Sequence, residues 1–303
     1  MRYADWIAVD WGTTRLRAWA MTDAGDVLRK AESDQGMGGL TQQEFEPALM
    51  ALIGGWLSPD TVTKVVACGM VGARQGWVEA AYSATPCPPM DAAACVSPST
   101  TDPRIQVSII PGLCQYEPAD VMRGEETQIA GLLADQPDYD GLICLPGTHS
   151  KWARVTAGQV TTFSTFMTGE LFALLSERSV LRHSVGSTGK AGWEDGAFCD
   201  SVISAFRNPI EVTSQLFGVR ARSLLVNEKS SVSRAALSGA LIGSELAAAE
   251  IDQANITLVG DSQLGHLYQK AIFAIGVTAT VAAPEAMTLN GLTAARLRLK
   301  SAE

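Results

Sequence analysis

The pattern of apolar and polar positions begins with two short strands. One apolar run covers residues 6–10, a second covers residues 16–21, and a turn pattern follows at residues 23–26. Short apolar runs that end in glycine or polar residues are typical of β-strands in a packed sheet. We therefore expect a β-meander that starts at Trp6.

Helical and extended patterns alternate further along the chain. The first half predicts a helix, two strands, a helix and a strand at residues 42–57, 63–68, 105–111, 124–135 and 141–145. The second half predicts alternating helices and strands at residues 235–251, 256–259, 266–275, 278–281 and 286–299. Residues 84–103 lack periodicity and are rich in Pro, Ser and Ala, which favours a long surface segment. The alternation indicates an α/β fold.

One local pattern occurs twice. A strand runs into Asp10-Trp11-Gly12-Thr13-Thr14-Arg15, and a later strand runs into Leu145-Pro146-Gly147-Thr148-His149-Ser150-Lys151. The second copy is also followed by a meander, with strands at residues 151–155 and 160–166. This recurrence predicts a duplicated β-meander domain.

Composition and charge exclude several classes of protein. Of the 303 residues, 47% are hydrophobic and 18% are charged, and the net charge is −9. An acidic chain lacks the basic surface that a nucleic-acid or anionic-membrane partner requires, and no apolar run is long enough to cross a bilayer. Six cysteines without CxxC spacing fit reduced thiols, as in the cytoplasm. A homodimer is one assembly that the sequence allows.

Both glycine-threonine turns are candidate phosphate cradles. Backbone N–H groups of a tight turn can approach phosphate oxygens closely, and neighbouring hydroxyls add donors. The candidates are Gly12, Thr13 and Thr14 in the first turn and Gly147, Thr148, His149 and Ser150 in the second. A single such turn is equally an ordinary β-turn, whereas two copies in equivalent settings favour phosphate binding. The GxxxxGK[ST] pattern of a P-loop is missing from the sequence.

Two charged residues flank these turns. Asp10 could hold Mg²⁺ through water against the β- and γ-phosphates of ATP, or it could cap its own turn. Lys151 could neutralise the transferred phosphoryl group, or it could be a solvated strand lysine.

Glu125 and Glu126 begin a predicted helix between the two turns. A carboxylate within reach of a substrate hydroxyl is the usual base in phosphoryl transfer, so one of them is the candidate base. Both could instead stabilise the helix N-terminus. The side chain of Arg123 could bind an anionic group of a ligand or pair with one of these glutamates.

A third turn, Gly260-Asp261-Ser262, follows a strand and opens a helix. It could seat the adenosine of a nucleotide, although a plain strand-to-helix turn is the alternative.

Taken together, these motifs resemble the superfamily of sugar kinases, actin and heat-shock chaperone ATPases. The resemblance implies two duplicated ribonuclease H-like (actin-like ATPase) domains with a central cleft. It implies an N-terminal domain at residues 1–120 and a C-terminal domain at residues 121–303, with the closing helix, residues 286–299, able to pack back on the first domain. Magnesium and ATP are the implied cofactors.

Further motifs are similar to the 2-dehydro-3-deoxygalactonokinase family. They are Gly69-Met70-Val71-Gly72, Ile110-Pro111-Gly112-Leu113-Cys114, residues 121–128, Pro146–Trp152 and Met167-Thr168-Gly169-Glu170-Leu171. This family phosphorylates 2-keto-3-deoxy-D-galactonate at its 6-hydroxyl in D-galactonate breakdown. By the same resemblance, a sugar-acid pocket is lined by Gly36, Gly38, Met70, Gly72, Trp77 and Arg123.

Three alternatives accompany this expectation. The gluconate epimer or another sugar acid could be the acceptor, since one inverted hydroxyl changes binding by only a few kcal/mol. Water could replace the sugar hydroxyl, as in an exopolyphosphatase-like phosphohydrolase. A non-catalytic nucleotide-dependent sensor is the third alternative.

Overall fold

The computed structural model describes residues 2–186, 192–251, 255–260 and 263–302. The chain divides into two compact units. Unit 1 comprises Met1–Tyr139, Val155–Thr162 and Pro284–Glu303, and unit 2 comprises Asp140–Arg154 and Phe163–Ala283. In this division the first segment of unit 1 ends at Tyr139, and the closing helix is part of unit 1. A domain boundary at residue 120 stays a prediction.

Unit 1 is built around a five-stranded sheet. Its elements, in chain order, are β1 (Trp6–Trp11), β2 (Leu16–Met21), β3 (Val27–Ser33), α1 (Phe45–Ile53), β4 (Thr63–Gly69), β5 (Ser83–Ala84), β6 (Ile105–Ile109), β7 (Leu113–Tyr116), β8 (Ala119–Met122) and α2 (Glu125–Asp135). The strand order in the large sheet is β3-β2-β1-β4-β6. Strands β1 to β3 form an antiparallel meander, and β4 and β6 add in parallel.

The elements that follow repeat this plan. They are β9 (Gly141–Leu145), β10 (Ser150–Thr156), β11 (Gln159–Phe166), α3 (Thr168–Arg178), α4 (Arg182–Val185), α5 (Asp195–Arg207), α6 (Val212–Leu225), α7 (Ser230–Ala248), β12 (Ile256–Val259), α8 (Gln263–Ala274), β13 (Thr280–Ala282) and α9 (Pro284–Ala302). The second sheet has the order β11-β10-β9-β12-β13, and β9, β12 and β13 are parallel. Three meander strands followed by two parallel strands occur in both sheets, which confirms the predicted duplicated ribonuclease H-like fold.

The turn between β10 and β11 clusters with unit 1 for a local reason. Ala157 and Gly158 both have positive φ, as a two-residue type I′ turn requires. Beyond this turn, Val160 exchanges two backbone hydrogen bonds with Cys87, with N···O distances of 2.9 and 3.2 Å. Cys87 belongs to residues 84–103, for which the sequence predicted a surface segment. This segment therefore pairs with strand β11 through the hydrogen bonds of Cys87. Its neighbour Met90 is buried in the core of unit 1.

Buried residues explain why the strands form where they do. All residues of β1 except Asp10 are buried, and all of β9 are buried, as expected for central strands covered on both faces. The described residues include no helix long and apolar enough to cross a membrane.

Helices α2 and α9 approach each other closely through glycine. A Cβ atom added at Gly131 would lie 1.9 Å from the carbonyl oxygen of Met287, and one added at Gly291 would lie 1.9 Å from that of Thr127. Only glycine fits at such distances. This packing makes α9 part of unit 1 and presses it against the first turn of α2, where the two candidate glutamates lie.

We predict that Gly291→Ala destabilises unit 1. The added methyl group would force the helices apart, and overpacking of this kind costs about 1–3 kcal/mol, which exceeds the roughly 1 kcal/mol that alanine gains over glycine inside a helix. Gly196→Ala in α5 is the matched control, because a Cβ atom there meets nothing within 4 Å. Thermal unfolding followed by circular dichroism should show a lower Tm for Gly291→Ala and an unchanged or higher Tm for Gly196→Ala. Equal Tm values for wild type and Gly291→Ala would contradict the close packing.

Candidate active site

The first glycine-threonine turn is a tight hairpin between β1 and β2. The Gly12 N–H donates to the Arg15 carbonyl oxygen at 2.8 Å and closes the turn. The side chains of Thr13 and Thr14 are exposed. The turn therefore presents a backbone loop and two hydroxyl groups at the end of a buried strand.

A glycine loop holds this hairpin from one side. The Met37 N–H donates to the Gly12 carbonyl oxygen at 3.0 Å, and the Gly38 N–H donates to that of Thr13 at 2.9 Å. A Cβ atom at Gly36 would lie 2.3 Å from the carbonyl carbon of Thr14. Gly36 and Gly38, predicted to line the sugar-acid pocket, are thus in contact with the predicted phosphate turn.

Asp10 is the next-to-last residue of β1, beside the hairpin, and it is paired with a cation. Its carboxylate accepts a hydrogen bond from the Arg17 guanidinium of β2. Its Oδ1 atom lies 4.0 Å from the Cys68 Sγ atom of β4. Gly69, with φ of +88°, follows Cys68, and a Cβ atom there would lie 2.7 Å from the Trp11 carbonyl oxygen. The ends of β1 and β4 therefore meet closely around the Asp10 carboxylate.

The two candidate glutamates have different environments. Glu126 is fully buried, and its carboxyl accepts hydrogen bonds from the Gly124 N–H at 2.6 Å and from the Thr127 hydroxyl at 3.1 Å. Burial, with a smaller contribution from the charge of Glu125, raises the pKa of Glu126 to about 8. Glu125 is partly exposed and accepts from the Arg123 N–H at 3.1 Å. A ligand can reach Glu125 without displacing the core.

Arg123 is fixed by neutral groups. Its Nη2 atom donates to the Ala80 carbonyl oxygen at 2.8 Å, and its guanidinium lies over the Tyr82 ring, 4.3 Å from the centroid. A Cβ atom at Gly72 would lie 2.9 Å from Nη1. Nε and Nη1 are buried and have no hydrogen-bond partner in the part of the chain that the structure describes. Sequence reasoning did not identify Ala80 or Tyr82, because neither lies in a recognised motif.

Trp77 is part of the core of unit 1. It is 6% exposed, and its ring lies 6.3 Å from those of Trp11 and Phe45. The backbone N–H of Trp77 donates to the Val71 carbonyl oxygen at 2.9 Å. The turn Met70–Gly72, which begins with the half-buried Met70, is thereby packed on this aromatic cluster. These contacts give Trp77 a packing role beside the predicted pocket residues.

The second glycine-threonine turn lies between β9 and β10 and is held by the start of α3. The Glu170 N–H donates to the Thr148 carbonyl oxygen at 3.0 Å, and a Cβ atom at Gly169 would lie 2.6 Å from the Gly147 carbonyl oxygen. The Glu170 carboxylate lies 2.6 Å from His149 Nε2. Thr148 and His149 are exposed, as expected of a ligand-binding turn.

The next two residues are buried. Ser150 is fully buried, and its hydroxyl lies 2.6 Å from the Tyr268 hydroxyl. Lys151 is 6% exposed. The serine begins β10, whose first four residues are buried, and its hydroxyl belongs to a buried network. A phosphate contact of Ser150 stays a prediction, and this burial does not favour one through the side chain.

A cavity of 560 Å³ opens beside this turn in unit 2. Its walls include Gly147, Gly169, Phe172, Trp193, Arg234 and Tyr268. This volume lies within the usual range for a small-molecule site.

The predicted adenosine turn begins at Gly260. Gly260 is packed against Gly265, since a Cβ atom at Gly265 would lie 2.3 Å from the Gly260 carbonyl oxygen. Asp261 and Ser262, predicted to contact adenosine, lie outside the described residues.

Charged residues of the cavity were not predicted from the sequence. The Arg234 guanidinium lies over the Phe172 ring, 4.9 Å from its centroid, and burial lowers the pKa of Arg234. Lys270 pairs with Asp195 at 2.6 Å. These residues lie on four helices, and no local motif connects them. Within the described ranges, no group of three or more His, Cys, Asp or Glu side chains is placed to hold a metal ion.

Comparison with known proteins identifies the family. The family model for 2-keto-3-deoxy-galactonokinase matches residues 10–295. A protein of Rhizobium meliloti (strain 1021), named as a probable 2-dehydro-3-deoxygalactonokinase, is 38% identical over 293 residues, and 95% of each chain is covered. The 2-dehydro-3-deoxygalactonokinase of Escherichia coli (strain K12) is 35% identical over 299 residues, covering 95% of this chain and 96% of its own.

A solved structure agrees with this result. The crystal structure of a protein from Sinorhizobium meliloti, described as a 2-dehydro-3-deoxygalactonokinase protein, superposes with a TM-score of 0.88 at 37% identity. It covers 96% of this chain and 97% of its own. The resemblance inferred from the motifs is confirmed. The chain belongs to the 2-keto-3-deoxy-galactonokinase family.

Proposed function

We propose that this chain is a carbohydrate kinase that transfers the γ-phosphoryl group of ATP to the 6-hydroxyl of 2-dehydro-3-deoxy-D-galactonate. The products would be the 6-phosphate and ADP, in the breakdown of D-galactonate. The observation that carries the proposal is the family match over residues 10–295, together with two relatives of that name at 35% and 38% identity over 95% of the chain. These matches favour the kinase over the phosphohydrolase alternative.

Each unit supplies one candidate phosphate-binding hairpin. Gly12, Thr13 and Thr14 in unit 1 and Gly147, Thr148 and His149 in unit 2 would bind phosphate oxygens through backbone N–H groups and side chains. Two observations support this role. The side chains of Thr13 and Thr14 in the first turn and of Thr148 and His149 in the second turn are exposed, and backbone hydrogen bonds from a neighbouring segment fix each turn. Lys151 stays the candidate cation for the transferred group.

Glu125 is the better candidate for the base. A base must come within hydrogen-bond distance of the hydroxyl whose proton it accepts. Glu125 is partly exposed, whereas Glu126 is fully buried and holds its proton up to a pKa of about 8. Glu126 would therefore order the first turn of α2 and limit the negative charge beside Glu125.

Asp10 fits a magnesium contact through water. Magnesium in kinase sites is held by one or two carboxylates, water and phosphate oxygens. Among the described residues, Asp10 Oδ1 has only the weak Cys68 thiol donor at 4.0 Å, while the Arg17 ion pair orients the carboxylate. When bound, magnesium would neutralise charge on the β- and γ-phosphates.

The adenosine would occupy the 560 Å³ cavity, with the turn at Gly260, Asp261 and Ser262 as its predicted neighbour.

Arg123 is the candidate group for the carboxylate of the sugar acid. A guanidinium is suited to bind a carboxylate, and none of the described residues forms a hydrogen bond with Nε or Nη1. Both atoms are buried, so the Tyr82 ring or Gly72 would have to shift for a direct contact. Gly36, Gly38, Met70, Gly72 and Trp77 stay predictions as pocket residues, and the contacts described above support a scaffolding role for Gly36, Gly38 and Trp77.

All six cysteines are free, which suits a cytoplasmic location, and this location stays a prediction. A homodimer likewise stays a prediction.

We predict phosphorylation of one acceptor above all others. Purified protein with Mg²⁺ and ATP should release ADP in a coupled assay when 2-dehydro-3-deoxy-D-galactonate is added, and much less with its gluconate epimer or simple hexoses. Mass spectrometry should find the monophosphate of the acceptor. Equal ADP release without any acceptor would contradict the kinase and favour the phosphohydrolase, and preference for the epimer would correct the substrate.

We predict that Glu125→Gln lowers kcat by about 10² to 10⁴, the usual contribution of a general base. The KM values should change little because the amide keeps the shape of the side chain. Glu79→Gln is the control, since Glu79 is an exposed residue of unit 1 paired only at the surface with Arg74. Steady-state kinetics of both variants, with circular dichroism to verify folding, test the role. Wild-type kcat in Glu125→Gln would refute it, and a loss confined to Glu126→Gln would transfer the role to Glu126.

We predict that Glu126 makes stability decrease as pH rises. The folded protein keeps the proton up to a pKa of about 8, whereas the unfolded chain releases it near 4.5. The folded state therefore binds more protons between these values, and the unfolding free energy falls by up to about 1.4 kcal/mol per pH unit. Glu126→Gln removes this contribution. Urea unfolding at pH 5.5 and 7.5 should show the variant gaining stability relative to wild type at the higher pH, and a constant difference would contradict the assignment.

A further inference from the structure

A buried carboxyl group in unit 2 has no role in the proposed chemistry. Glu245 of α7 is 2% exposed. Its Oε1 atom accepts from Trp152 Nε1 at 2.8 Å, and its Oε2 atom accepts from the Tyr268 hydroxyl at 2.7 Å. The Thr168 and Ser150 hydroxyls also hydrogen-bond to this carboxyl. Four side chains therefore converge on one group.

This network connects the second hairpin to the cavity. Ser150 is the residue directly after His149 of the hairpin, and its hydroxyl lies 2.6 Å from that of Tyr268. Tyr268 and Thr168 both line the 560 Å³ cavity. Thr168 also precedes Gly169, whose backbone is pressed against the hairpin. The carboxyl group thus contacts residues on both sides of the place where the hairpin and the cavity wall meet.

Hydrogen bonds make this junction directional. Apolar packing alone fixes a separation between elements but leaves small rotations open, whereas a hydrogen bond weakens steeply as its angle departs from linearity. Burying an acid without partners is unfavourable, and here each carboxyl oxygen has a donor. Burial raises the pKa of Glu245, and the hydrogen bonds from Thr168, Trp152 and Tyr268 act in the opposite direction. The network joins β10, α3, α7 and α8 through a single side chain.

We propose that Glu245 is a positioning residue that holds the second phosphate hairpin and the cavity wall in the geometry that binds ATP. This inference rests on the proposed kinase function. Glu245 itself does not touch the nucleotide. It acts through Ser150 on the hairpin and through Tyr268 and Thr168 on the cavity wall, and so it sets nucleotide affinity more than the affinity for the sugar acid.

Three variants test the network. Glu245→Leu removes both acceptor oxygens, Tyr268→Phe removes one hydroxyl at nearly constant volume, and Glu245→Gln keeps the shape and one acceptor oxygen. Calorimetric titration with ATP and with ADP should show about tenfold weaker binding for Glu245→Leu and Tyr268→Phe, with partial rescue in Glu245→Gln. At saturating ATP, the KM for the sugar acid should stay within about twofold of wild type.

A matched control separates positioning from stability. Thr257→Val removes a buried hydroxyl of the same unit, whose partner is the Thr280 hydroxyl at 3.0 Å, and Thr257 lines neither the hairpin nor the cavity. This variant should lose stability and keep wild-type ATP affinity. Wild-type ATP affinity in folded Tyr268→Phe and Glu245→Gln would overturn the proposal and leave Glu245 a structural residue. If Glu245→Leu fails to fold, these two variants decide. Failure of wild type to bind any nucleotide would instead reject the kinase function itself.

Discussion

Close approach of backbone to backbone at three glycines determines the form of the candidate site. Gly36 lies against the first hairpin, Gly69 brings the end of β4 against β1, and Gly169 lies against the second hairpin, each at a distance that a Cβ atom would forbid. A phosphate cradle requires rigid N–H groups without side chains between donor and ligand. In each unit that rigidity comes from a neighbouring loop or helix start that forms backbone hydrogen bonds to the turn.

The distribution of charge follows from this close packing. Asp10, Glu125 and Glu126 are all acidic groups of unit 1, and three unscreened carboxylates together would repel both one another and a nucleotide. The Arg17 ion pair balances Asp10, and burial keeps Glu126 protonated below a pKa of about 8. Glu125 is left as the partly exposed carboxyl group that solvent and ligands can reach. The asymmetry between adjacent glutamates thus arises from helix geometry, since neighbours on a helix point about 100° apart.

The sequence predicted the strands and the two hairpins because these elements carry strong local signals. Residues 6–10, 16–21, 63–68 and 141–145 are apolar runs that end in glycine or polar residues, and the structure has strands at these places. The helices α3 to α6 were not predicted. Exposed apolar residues such as Phe217, Leu224 and Leu225 blur the helical period of α6. The exposed Leu171 and Leu174 have the same effect in α3. The cavity residues Phe172 and Arg234 were missed for the same reason, because they lie on or pack against these helices.

The burial of Ser150 and of Trp77 has one physical origin. A motif assigns chemistry to consecutive residues, whereas a strand turns successive side chains to opposite faces and a loop can return a residue to the core. Thr148 and His149 precede the strand and stay exposed, while Ser150 begins it and hydrogen-bonds inward to Tyr268. Trp77 follows a motif turn and packs on Trp11. Residues that look like ligand contacts in the sequence can therefore be the residues that fix those contacts, and the buried carboxyl of Glu245, which belongs to none of the recognised motifs, is where this support converges in unit 2.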